Sequence, residues 1–213
     1  MNANLNLLIG LAMGLNLIAL GTSRLPALIR AMSAQGVILG VMPVLMGHDP
    51  DWRVALIALA TMIGKGLVIP GLLRRAMRTA QIDRELDPLI DFVPSLLLGA
   101  GGAIAALALA HVLPLLPQHT GSLLVPGALA TVLTGFILLI GRAKAISQVC
   151  GYLILENGIY LFGLLLIEAM PLLVEAGVLL DLTVGVFIIG IIVDRIQRAF
   201  DSLDTRKLTV LRE

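Results

Sequence analysis

The sequence predicts an all-α fold, a polytopic membrane helix bundle of about seven transmembrane helices, and three observations predict it. The chain of 213 residues is 58% hydrophobic and only 14% charged, with a mean hydropathy of +1.00. A soluble domain carries about 25% charged residues and needs them to cover its surface. Apolar stretches also recur at bilayer length. A spanning helix needs roughly 20 residues, so seven use about 140 and leave short connections. Finally, the basic residues gather on alternate connections. No room remains for a soluble catalytic domain.

Taken in order, span 1 is expected at Leu5–Leu20 and stops at Thr22-Ser23-Arg24. Met1 to Ser23 lacks a basic leader and a small-residue cleavage site, so it reads as a retained span. Span 2 covers Leu25–Met46 and ends at Gly47-His48-Asp49-Pro50-Asp51. Span 3 runs from Trp52 to about Leu73 with Lys65 in its middle, and Ala76–Pro94 reads as an amphipathic or irregular surface connection. From Phe92 to Gly141 there is no Asp, Glu, Lys or Arg; the group Pro114 to Gly121 splits this stretch into spans 4 and 5. Span 6 is expected at Ile146–Ile167 and span 7 at Leu172–Val193, followed by a polar tail. The organisation is therefore a three-helix segment with its connection (1–94), a linking helix (95–121), a second three-helix segment (122–194) and a tail (195–213). Spans 1–3 and 5–7 echo each other, since each triplet ends in a basic segment, a pattern of parallel repeats.

With span 1 starting outside, Arg24, Arg30, Arg74, Arg75, Arg78, Arg84, Arg142, Lys144 and the tail's basic residues share one side. Arg53 stands alone on the other. The positive-inside rule then places the N-terminus outside and the C-terminus in the cytoplasm of an inner (cell) membrane protein. Lys and Arg total 15 against 14 Asp plus Glu, so no basic face supports nucleic-acid binding. Cys150 is the single cysteine and cannot close a disulfide within the chain; no Cys/His spacing suggests a metal. No cofactor site is expected.

Four ionisable residues fall inside spans: Lys65, Glu156, Glu175 and Asp181. Glu156 lies twelve residues beyond Lys144, about 18 Å into the membrane, and Asp181, thirteen residues before Asp194, is about as deep. A charge at bilayer centre costs at least about 2.5–3.5 kcal/mol, so such groups face the bundle, pair, or border water. A buried ion pair that only fixes packing is one reading. A proton pathway is the other, because carboxyl and amine groups taken out of water exchange protons near neutral pH. An ion filter would offer rings of carbonyls or carboxylates. Glu175 sits in the first turn after Pro171, where the helix dipole favours a carboxylate, so capping competes with transport there. His48, His111 and His119 read as loop or interfacial residues. Glycines, among them Gly151, Gly158 and Gly185, permit close helix packing. The outward surface of spans 6 and 7 is expected to carry a polar stripe.

The segment Gly151-Tyr152-Leu153-Ile154-Leu155-Glu156-Asn157-Gly158 resembles the signature of the hydrogenase-4 component E family. These are membrane subunits of group 4 nickel–iron hydrogenase and formate hydrogenlyase complexes. Ile63-Gly64-Lys65-Gly66-Leu67-Val68-Ile69-Pro70 resembles the family's lysine–proline helix, and Leu203–Leu211 its C-terminal tail. Spans 5–7 also resemble subunit K of complex I, with Asp181 four positions before Gly185 as in the last helix of that protein. The other acidic position departs: counted from Gly151 it falls on Leu153, and Glu156 comes three residues later, nearly one turn. Small subunits of multisubunit cation/proton antiporters are a third relative.

The resemblance implies a non-catalytic membrane subunit that anchors redox partners and contributes to proton translocation. Its partners would be antiporter-like membrane subunits and an anchor like the H component of complex I, with iron–sulfur and nickel–iron subunits beyond them, all set in the lipid bilayer. The alternative is a subunit of a cation/proton antiporter or an independent ion transporter. A lipid-modifying enzyme would need a nucleophile with a positioned base, or a metal set, and neither is found.

Overall fold

Apolar runs fold here as helices, even across Pro43 and Pro70, because in lipid every backbone group must be bonded within the segment. The computed structural model describes residues 3–46, 52–79, 86–113, 122–166 and 170, and 174, 176–177, 179–181, 183–188, 190–191 and 194. The helices are α1 (Ala3–Gly21), α2 (Leu25–Met46), α3 (Trp52–Ile63), α4 (Ile69–Thr79), α5 (Phe92–Val112), α6 (Leu124–Gly141) and α7 (Ala145–Leu164). A π-helical turn, Gly64–Val68, joins α3 to α4 in one continuous rod. A further helical stretch, Leu179–Ile188, is called α8 below. Among the described residues five helical stretches are long and apolar enough to cross a membrane: α1, α2, Val54–Arg78, α5 and α6. α7 has their length but carries Gln148, Glu156 and Asn157. The all-α membrane bundle is what the composition predicts.

Two boundaries differ from the sequence reading. The third rod continues through Arg74, Arg75 and Arg78 to Thr79, and α5 already begins at Phe92. Basic side chains at a helix C-terminus favour the dipole, so the charged segment extends the helix rather than ending it.

α1 buries Leu5, Ile9, Ala12, Asn16, Ala19 and Leu20, a stripe spaced by three and four residues that faces the bundle. α6 and α7 are the closest pair. A Cβ at Gly135 would lie 2.5 Å from the Leu155 nitrogen, and one at Gly158 2.6 Å from the Val132 nitrogen. No side chain fits there. α2 meets the third rod in the same way, with Gly36 against Lys65 and Gly40 against Met62. α5 is peripheral: it buries Ser95, Gly99 and Ala106 and exposes Val93, Leu97 and Ile104.

Among the described residues the core is divided into two apolar clusters. One joins Leu20, Leu28, Ile29, Ile69, Leu73, Leu138 and Ile154; the other joins Ile9, Leu39, Met42, Ala128, Tyr160 and Leu161. Along α1, α2, α6 and α7 the buried polar residues Asn16, Gln35, Thr131, Glu156 and Asn157 fall between the two. A polar layer thus crosses the middle of the bundle.

At one end, three connections are tied together. The backbone N–H of Leu86 donates to Ser23 O (2.9 Å), that of Leu89 to Gly141 O (2.9 Å), and that of Ala143 to Asp87 O (3.0 Å). Arg24, Arg142 and Lys144 therefore share an end of the bundle. Arg142 itself turns inward. It is 1% exposed and donates to Ile90 O (2.7 Å) and Leu20 O (2.9 Å), with its guanidinium 4.8 Å from the Phe92 ring centroid.

Candidate functional site in the polar layer

Lys65 is placed by the irregular turn. Pro70 has no N–H, so it cannot donate to Gly66 O in the ordinary i to i−4 pattern. Ser33 Oγ donates to Gly66 O instead, and the Ile69 N–H reaches back to Gly64 O, five residues away. Single π turns of this kind occur often at functional sites. The Lys65 side chain is 5% exposed and runs between α2 and α7. Its ammonium pairs with the Asp181 carboxylate of α8 and donates to Asn157 Oδ1 at 3.2 Å. It also stands 5.7 Å from the centroid of the Tyr160 ring.

Glu156 precedes Asn157 on α7, so the two side chains diverge by about 100° around the helix. Asn157 turns toward α2 and Lys65, whereas Glu156 turns toward α8. The Glu156 side chain is 5% exposed. Asp181 and Tyr152 are its side-chain hydrogen-bonding neighbours, and Lys65 lies within its electrostatic reach. A cavity of about 330 Å³ opens beside it, between α7 and α8. Its polar lining is Tyr152, Glu156, Tyr160 and Asp181; Ile159, Leu166, Leu180 and Val184 supply apolar wall, and Gly163 and Gly177 leave room. A water occupies about 30 Å³ in the liquid, so several fit, anchored on the carboxylates.

Of the site residues read from the sequence, Lys65, Glu156 and Asp181 come together around this cavity and the turn beside it. Glu175, like His48 and His119, lies outside the described residues. Gly151 and Gly158 sit where α7 crosses α6, and a Cβ at Gly151 would be 2.7 Å from the Leu139 nitrogen. A Cβ at Gly185 of α8 would be 3.1 Å from Ile69 and 3.5 Å from Leu153. His111 is exposed in the last turn of α5. Among the described residues the expected outward polar stripe is corrected: Glu156, Asn157 and Ser147 are buried, and α8 exposes Leu179, Leu180, Val186 and Phe187 with Thr183 alone among polar side chains. Polar groups gain more from partners inside the bundle than from a lipid surface that offers none.

Sequence reasoning missed Asn16, Gln35 and Thr131. Asn157 Nδ2 donates to Gln35 Oε1 (3.1 Å), Gln35 Nε2 to Asn16 Oδ1 (2.9 Å), and Asn16 Nδ2 to Thr131 Oγ1 (2.9 Å). Thr131 Oγ1 then donates to Gly127 O (2.7 Å). The signal was present: uncharged amides within apolar spans, which seek partners on neighbouring helices. Among the described residues no group of three or more His, Cys, Asp or Glu could hold a metal ion.

A multi-pass membrane bundle with a buried lysine, two acidic side chains and an adjoining cavity is the class these features define. The chain is 34% identical to the uncharacterized protein Rv0085 of Mycobacterium tuberculosis over 218 aligned positions, 100% of this chain and 99% of that protein. It belongs to that family. It is also 29% identical to hydrogenase-4 component E of Escherichia coli over 157 residues, 72% of this chain and 71% of that one. Hydrogenase-4 component E of Shigella flexneri matches to the same extent. No family model and no solved structure matches the chain.

Proposed function

We propose that the chain is a non-catalytic membrane subunit of a complex I-like, energy-converting hydrogenase or formate hydrogenlyase complex, and that its polar layer contributes to proton translocation. One observation carries the second part: Glu156 is buried beside a cavity whose lining it shares with Tyr152 and Asp181, and Asp181 is the partner of Lys65. A carboxylate that takes up and releases a proton needs access to water, and a cavity lined by two acidic side chains offers it. The similarity to hydrogenase-4 component E supports the first part.

In this reading, a proton enters the cavity by water, rests on Glu156 or Asp181, and leaves laterally at mid-membrane depth. Lys65 supplies a positive charge that stabilises whichever carboxylate is ionised. Glu175 is a further acidic group on the same span. Redox chemistry resides in partner proteins carrying iron–sulfur and nickel–iron centres. Antiporter-like membrane subunits, and an anchor like the H component of complex I, adjoin this chain. The tail faces the cytoplasm. An engineered Ser202→Cys in a Cys150→Ala background should label only from that side; labelling from outside overturns the orientation.

The test of the pathway is proton uptake into proteoliposomes, measured alongside redox turnover of the assembled complex. Glu156→Gln should assemble and turn over while coupled proton uptake falls. Unchanged coupling in a Glu156→Gln, Asp181→Asn double variant would reduce both residues to packing elements.

A further inference from the structure

We propose that Asn157, Gln35, Asn16 and Thr131 are positioning residues for Lys65. Together they form one polarised chain of hydrogen bonds that aims a carbonyl oxygen at the lysine ammonium. The Thr131 hydroxyl donates its single proton to Gly127 O, at 2.7 Å. That leaves Thr131 Oγ1 as an acceptor, and Asn16 must turn its NH₂ toward it, at 2.9 Å. Asn16 Oδ1 then faces Gln35 Nε2 (2.9 Å), Gln35 Oε1 faces Asn157 Nδ2 (3.1 Å), and Asn157 Oδ1 is left for Lys65 (3.2 Å).

The lysine end demands the same order. An ammonium has three donors and no acceptor, so Asn157 must present oxygen to it. The ammonium fixes the order, the arrangement at Thr131 is in agreement with it, and no amide can flip without setting a donor against a donor. Five elements are locked by this agreement: α6, α1, α2, α7 and the π turn. Gln35 holds its place with a second contact, Nε2 to Ala12 O at 3.4 Å.

Carboxamides neither gain nor lose a proton near neutral pH, so the chain is not a branch of a proton path. Its polarity offers Lys65 an acceptor and nothing else. Lys65 is therefore held as a stationary donor between Asn157 and Asp181, and exchange is confined to the carboxylates at the cavity. That last point rests on the function proposed above; the positioning does not.

The sequence has three lysines, Lys65, Lys144 and Lys207, so ¹⁵N-lysine labelling of the full chain in lipid nanodiscs gives a spectrum that Lys65→Met assigns. Thr131→Val deletes the far acceptor while keeping side-chain shape, and should displace the Lys65 Nζ resonance although it lies four links away. Thr131→Ser, which keeps the hydroxyl, should restore it. Thr134→Val, a buried threonine three residues further along α6, should leave it in place. Asn16→Ser breaks the same link from α1 and should displace the resonance as well, which serves if Thr131→Val does not fold. Equal displacement by Thr131→Val and Thr134→Val, or no recovery with Thr131→Ser, overturns the proposal. Proton uptake separates the two ideas. A displaced resonance with normal uptake in Glu156→Gln keeps the positioning and removes the pathway. An unmoved resonance with uptake lost in Glu156→Gln does the reverse. Where both hold, Thr131→Val should lower uptake in the native background and add no further loss in Lys65→Met.

Discussion

Lys65 and Arg142 are both buried cations, 5% and 1% exposed, yet they are satisfied in opposite ways. Arg142 sits at the end of the bundle where three connections meet. Its partners are the carbonyls of Leu20 and Ile90 and the face of Phe92, none of which can exchange a proton. Lys65 sits in the polar layer, and one of its partners is a carboxylate that lines a cavity. Burial alone therefore does not tell the two cations apart. What differs is the chemistry of the partner: fixed backbone oxygens hold a chain in place, whereas a carboxylate beside a cavity is a group able to change its charge.

The largest effect should come from the structural cation. Arg142→Ala leaves Leu20 O without its donor, at about 1–3 kcal/mol, and takes from Ile90 O one of two donors (Ser95 Oγ remains). It also empties the space of a large fully buried side chain, so a loss of roughly 3–5 kcal/mol is expected. Arg142→Lys should recover little, because one ammonium cannot reproduce the forked geometry of a guanidinium. Thermal unfolding in detergent reads both. A stable Arg142→Ala protein would erase the contrast from its structural side.

Asp181→Asn should follow, with about 2–3 kcal/mol lost, since it leaves Lys65 buried against a neutral group; the half-open position of Asp181 keeps this below the cost of a fully buried break. Coupled proton uptake should fall with it. Replacing the pair together, Lys65→Met with Asp181→Leu, should return stability to within about 1 kcal/mol of the native chain, as apolar replacements of buried pairs do. Proton uptake should stay low. Recovery of both would make the pair a packing device like Arg142.

The smallest change in stability belongs to Glu156→Gln, under about 1 kcal/mol, because the amide keeps the shape of the side chain and can still hydrogen-bond its neighbours Tyr152 and Asp181. Its effect on proton uptake should nevertheless be among the strongest. That separation of outputs is the sharpest form of the comparison.

Much of this was legible in the chain. The limits of α2 are those expected, because Ser23-Arg24 and the Gly47 to Asp51 group bracket an apolar run of spanning length. Lys65, Glu156 and Asp181 stood out because charge is expensive at membrane depth. Arg142 gave no such signal. It lies beside Lys144 in a short connection, where an inward and an outward guanidinium read alike. Asn16 and Gln35 were visible as amides within spans, but nothing in one helix tells which amide on another will face it. The π turn follows from Pro70 only once Ser33 is known to supply the missing donor.

Composition and the placement of charges thus determined a membrane helix bundle and its ionisable residues, since the cost of polar groups in lipid acts on each helix separately. Packing decided the rest. The rotation and depth of each helix chose the partners, setting Asp181 on Lys65, leaving Glu156 open to the cavity, and turning Arg142 onto carbonyls. Those choices depend on distances of a few ångströms between helices far apart in sequence, where Gly36, Gly135 and Gly158 allow backbones to meet.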